Sequence, residues 1–113
     1  MTGPRLAAAV EASALIRRIS GEGGFATIIA KGDAERGSLL LIITERGRHA
    51  ALLERMLNAD GDYHWQSSGP SELNAIKLAE WLANRRRSDP DLWLIELDVP
   101  SAERFIAETI STG

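Results

Sequence analysis

The sequence predicts an α+β fold: a mainly antiparallel sheet of about five strands with two main helices, in the order α-β-β-β-β-α-β, followed by a short C-terminal helix of open register. Three observations carry this. Residues 8–19 and 73–87 repeat apolar positions at helical spacing, and several short segments rich in branched and aromatic residues lie between Gly- and Asp-containing turns. The last apolar segment, "LWLIEL", alternates with a period of two. All 113 residues fit one domain, 1–113, and 44% hydrophobic with 26% charged residues is the balance of a globular chain with its own core.

In order, Ala8, Ala12, Leu15, Ile16 and Ile19 form one stripe of a first helix, with Glu11, Arg17 and Arg18 off it. "GEGG" at 21–24 ends that helix, because glycine accepts the left-handed conformation that closes a helix. "FATIIAK" (25–31) and "SLLLIIT" (38–44), bounded by "GDAERG" and "ERGR", predict an antiparallel hairpin. The apolar residues of "HAALLERML" (49–57) suit a helix face about as well as a strand, and its flanks favour a strand. Asp60-Gly61 is a favoured hairpin pair, and "YHWQ" reads as the returning strand.

The second helix is expected from Leu73 to Arg87, with Ser71 as N-cap, Glu72 in the first turn, and Ala75, Leu78, Ala79 and Leu82 as the buried stripe. Arg86 continues that stripe, so its stem should lie on the protein body with its head near the following loop. Arg85 stands four residues after Trp81 and is placed to stack on it, while Arg87 points to solvent with Asn84. Pro90 ends the helix by about Ser88. Asp89 and Asp91 are then expected to pair with the arginines and fix the angle between helix and strand. Beyond this joint, Trp93, Ile95, Leu97 and Val99 share one face of a strand, and Leu92, Leu94, Glu96 and Asp98 share the other. "PSAERFIAET" suits a short helix capped by Ser101.

Particular segments carry a family resemblance: "LIRR", "GGFA", "KGDAERG", Trp65 and above all "RRRSDPDLWLIELD". With these the chain resembles the bacterial family catalogued as domain of unknown function 1491, over nearly its whole length. The resemblance implies one α+β domain whose activity is not established, and it brings no catalytic residue with it. The terminal "PSAERFIAE" departs from the shorter Gly-Arg turn expected of the family.

Chemistry has to be weighed from the residues. No cysteine is present, which excludes disulfides and thiolate chemistry and fits a cytosolic protein. His49 and His64 lack metal-ligand spacing, "NADGD" misplaces the glycine of a calcium loop, and "GEGG" follows a helix where a phosphate loop would precede one. No metal or cofactor is expected. No Gly-x-Ser-x-Gly elbow occurs, and the remaining catalytic reading is a small hydrolase using Asp33 with Asp89 or Asp91 as acid and base. Asp33 is equally a turn former.

A net charge of -3 argues against general attraction to nucleic acid. An anion, such as a nucleotide or nucleic-acid phosphate, could still meet Arg17, Arg18, Arg85 and Arg86, with Trp65 stacking on a base. The reading favoured over both is a non-catalytic binding or regulatory module that acts through contacts with an unknown protein partner. Neither a secretion signal nor a membrane span of about 20 apolar residues is visible, so a cytoplasmic location is expected. A homodimer is also expected, should both long helices pack on one face and leave the other for a second copy to cover.

Overall fold

The computed structural model describes residues 6–69 and 74–112. Its elements are α1 (Ala8–Gly21), β1 (Phe25–Ala30), β2 (Leu39–Glu45), β3 (Arg48–Leu57), β4 (Tyr63–Ser67), α2 (Ala75–Ser88), β5 (Trp93–Asp98) and α3 (Ala102–Thr112). Strand character for residues 49–57 and a C-terminal helix are thus both present. The helix runs to 11 residues, and the N–H of Phe105 donates to the carbonyl of Ser101 at its start.

One expectation about pairing is overturned. The sheet order is β1-β5-β2-β3-β4, so β1 and β2 do not form a hairpin. β5 inserts between them, antiparallel to β1 and parallel to β2. Two strands separated by a third lie about 10 Å apart, too far for a tight turn, and the loop of residues 31–38 crosses the entry of β5 to join them. Genuine hairpins join β2 to β3 and β3 to β4. The first closes at Arg46-Gly47, both with positive φ (52° and 79°). The Asp98 carboxylate, at the end of β5, accepts the N–H of Gly47 at 2.9 Å and of Arg46 at 3.1 Å, which fixes the turn on the sheet. Those N–H groups, Gly47's first, hold the Asp98 carboxyl below its usual range.

The period of two then divides the core into two faces. Leu39, Leu41 and Ile43 of β2 join Trp93, Ile95, Leu97 and Val99 beneath α1 and α3. Leu40, Leu92 and Leu94 join Ala30, Trp81 and Leu82 beneath α2. α1 buries Ala8, Ala12 and Ile19 as its periodicity predicts and closes at Gly23, whose φ of 86° only glycine adopts freely. In α2 the outcome differs, because Ala75 and Ala79 are exposed while Leu78, Trp81, Leu82, Arg85 and Arg86 are half-buried. The large Trp81 ring turns the helix by about one position, since it has the most apolar area to remove from water. Ser71 and Glu72, expected to start this helix, lie outside the described residues. The cap the structure shows is Asn74, whose side chain accepts the N–H of Lys77 at 2.8 Å.

The two long helices therefore lie on opposite faces, and the condition attached to the expected second copy, both helices on one face, is not met.

Candidate functional site

The joint is where most of the singled-out residues fall. The loop of residues 31–38 lies across residues 90–93: the N–H of Asp33 donates to the carbonyl of Asp91 at 3.0 Å, and the Trp93 indole N–H donates to the carbonyl of Asp33 at 2.8 Å. Arg86 completes the clamp by donating to the carbonyls of Pro90 and, at 2.8 Å, Lys31. α1 also starts on this loop, as Ala8 and Ala9 donate their N–H groups to the carbonyls of Glu35 and Ala34. One loop thus supports a helix on one face, holds an arginine from the other, and guides β5 between β1 and β2.

The expected charge pairs at this joint are replaced by other contacts. Asp89 accepts the N–H of Asp91 at 3.2 Å in a local turn, and the Asp91 side chain is exposed. Asp33 does come beside Asp91, yet through backbone. Its carboxylate turns inward to accept the N–H groups of Arg36 at 2.7 Å and Glu35 at 2.9 Å, which hold its carboxyl below the usual range. An acid and base pair is not what this geometry builds, since one carboxylate is committed to its own loop. Asp91→Asn is accordingly expected to shift stability by less than about 0.5 kcal/mol, and Asp89→Ala to cost about 1 kcal/mol for the lost turn contact. Denaturant midpoints would show it, and a large loss for Asp91→Asn would restore the charge-pair account.

The four arginines proposed to meet an anion do not converge. Arg17 and Arg18 are on α1, Arg85 and Arg86 on α2, across the sheet from each other. Arg18 bonds Glu22 at 3.1 Å and lies over the Phe105 ring at 5.3 Å, while Arg17 is exposed. Arg85 lies over Trp81 at 5.4 Å, as its spacing predicts, and its fork takes both oxygens of Glu54 at 2.7 and 2.5 Å. Trp65 is only 6% exposed, packed in the core with Arg55 over its ring at 5.2 Å, so no base can stack on it without unpacking that core.

Two features went unremarked in the sequence. One is Glu54, 8% exposed in mid-strand, which also accepts the Ser68 hydroxyl at 2.9 Å. Its signal is a carboxylate in mid-strand, flanked by Leu52 and Leu53 on one side and Arg55 on the other. The other is β1, whose Phe25, Thr27 and Ile29 are all exposed, Phe25 by 75% and Ile29 by 52%. Cross-sheet register puts Phe25 and Thr27 level with Asp98 and Glu96, on the face that α2 covers. Alternation continues to Ile29, and the bulge between Ile28 and Ala30 sets Ala30 opposite Leu94 in the α2-side core. Among the described residues β1 is an edge strand paired with β5 alone, and residues 25–30 contain no charge or proline to blunt it.

Among the described residues no three His, Asp or Glu side chains are grouped to hold a metal, and no helix is long and apolar enough to cross a membrane. Comparison with known proteins decides the family. The model of the family "Protein of unknown function (DUF1491)" matches residues 6–107. The chain belongs to the DUF1491 family. A crystal structure of a DUF1491 protein from Caulobacter crescentus CB15 is 30% identical, with a TM-score of 0.77 over 87% of this chain and 92% of that one. An NMR structure of a DUF1491 protein from the same organism gives 30% and 0.76, covering 88% and 91%. A solution structure of a protein from A. tumefaciens is 26% identical, with a TM-score of 0.72 over 87% and 89%. No curated relative matches the chain.

Proposed function

We propose that this DUF1491 chain is a cytoplasmic, non-catalytic interaction module that works through protein contact, with the edge strand β1 as its contact surface. The observation that carries the reading is the stripe Phe25, Thr27, Ile29, exposed on an uncharged strand with one open side. Such an edge offers unpaired main-chain donors and acceptors together with apolar side chains, which is what strand addition uses. The other edge, β4, carries His64, Gln66 and Ser67 and offers no comparable stripe. Support also comes from how the charged side chains are employed, since Arg85, Arg86, Asp33, Glu54 and Asp98 each hold a loop or helix in place.

A photo-reactive benzoylphenylalanine in place of Phe25, irradiated in living cells, is expected to give a discrete protein adduct. The same group at Gln66 on the opposite edge is expected to give none. Absence of any protein adduct at position 25, in a chain that folds normally, would overturn the reading.

A further inference from the structure

We infer that the occupant of the β1 edge is a second copy of this chain, paired antiparallel through its own β1 about a two-fold axis at Thr27. The inference rests on the contact reading above and names its partner. The reason is the symmetry of the stripe. When β1 pairs with itself about Thr27, Phe25 of each copy falls opposite Ile29 of the other, and Thr27 falls opposite Thr27. Aromatic against β-branched and threonine against threonine are both favourable cross-strand pairs, and the two-fold axis makes the first pair twice. No like charges are forced together, because residues 25–30 carry none. Antiparallel pairing also brings the end of one β1, where Lys31 stands, near the start of the other, where Glu22 stands bonded to Arg18 of its own chain at 3.1 Å, so that Lys31 adds a second cation beside one carboxylate and no like-charged pair is placed within the ladder.

The geometry limits the contact as well as favouring it. The bulge between Ile28 and Ala30 bends the strand and ends the ladder near Ile29. A ladder of five or so residues is a small interface, of the transient class. The dimer is therefore concentration-dependent, and two five-stranded sheets become one continuous sheet when it forms.

The test uses the full chain, which contains no cysteine. Directly opposed residues of antiparallel strands have Cα atoms about 4.5–5.5 Å apart, within the span of a disulfide. Thr27→Cys is thus expected to cross-link to a dimer on mild oxidation, while Gln66→Cys on the far edge stays monomeric. Light scattering from about 1 µM to about 500 µM should show the wild type moving from monomer towards dimer, the range in which a small interface equilibrates. Ile29→Lys, which puts a charge opposite Phe25 of the other copy, should remain monomeric throughout, with circular dichroism confirming that it is folded. A wild type that stays monomeric over the whole range, or a dimer that forms without the Thr27→Cys cross-link, overturns the inference. If the wild type is monomeric while the photo-adduct at position 25 has the mass of a different protein, the second copy is wrong and the contact reading stands.

Discussion

Gly32→Ala is expected to lower the melting temperature by roughly 10–15 °C, corresponding to about 3 kcal/mol for a domain of this size. A Cβ at Gly32 would collide with the carbonyl oxygen of Asp91 and stand 2.7 Å from Cδ1 of Trp93. Neither neighbour can yield cheaply. The carbonyl is backbone, already bonded by the N–H of Asp33, and the indole is buried with its own N–H donated to Asp33. Relief would have to come from lifting the loop of residues 31–38 off β5, which loses those hydrogen bonds and the seat on which α1 begins. A Cβ at Gly37 would meet the same carbonyl and stand 2.8 Å from the same indole carbon, so Gly37→Ala should behave alike. The measurement is thermal unfolding of both variants beside Gly47→Ala. That control meets no atom within 4 Å and is strained only by its φ of 79°. Similar small losses in all three would show that the loop has slack and that close approach is not what these two glycines provide.

This joint also shows where the sequence was informative. The alternation from Leu92 to Val99 assigned each residue to its face correctly, because a strand's period of two is local and needs no knowledge of neighbours. The end of α2 at Ser88 was equally legible, since Pro90 acts within a few residues of itself. Arg86 reached the Pro90 carbonyl of the following loop because its stem length and helical phase determine where its head can go. Strand order was not legible. "FATIIAK" and "SLLLIIT" are consecutive and look like a hairpin, and nothing within them records that β5, some fifty residues later, separates them. That misplacement concealed β1 as an edge and with it the exposure of Phe25 and Ile29, whose apolar character suited a strand covered on both sides.

The partner of Arg85 was hidden for the same reason. Asp89 is its nearest carboxylate in sequence and Asp91 lies just beyond, whereas Glu54 is brought to it only by the pairing of β3 beside β2 and the passage of α2 over that face. Reading charge pairs from sequence neighbours works along a helix, where positions three and four apart meet, and fails across a turn that carries the chain away. The segment "RRRSDPDLW" is thus three arginines with three different jobs: Arg85 to a distant strand, Arg86 to two loop carbonyls, and Arg87 to Asn84 at 2.7 Å.

Glu54→Gln is expected to cost about 2 kcal/mol at pH 7 and progressively less in acid. The pair is bidentate and its side chains are 29% and 11% exposed, so removing one charge leaves the other partly desolvated without a counter-charge. The cost is smaller than for a fully buried pair because Arg85 keeps contact with water and with the Trp81 ring. Burial pushes the Glu54 carboxyl up, but the Arg85 hydrogen bonds, the Ser68 hydroxyl and the Arg85 charge together hold it below its ordinary 4.5. The sign of the pH dependence follows. The unfolded chain takes up the proton at the higher pH, so the pair's contribution is complete above that ordinary value and is lost as pH falls through the lower folded one. Denaturant unfolding from pH 7 down to about pH 3 should therefore bring the wild-type and Glu54→Gln curves together on the acid side. Adding Arg85→Met to Glu54→Gln should recover part of the loss at pH 7, because a neutral Gln–Met pair leaves no unpaired charge under α2. A gap between wild type and Glu54→Gln that stays constant across this pH range would mean that the contact acts through packing and not through charge.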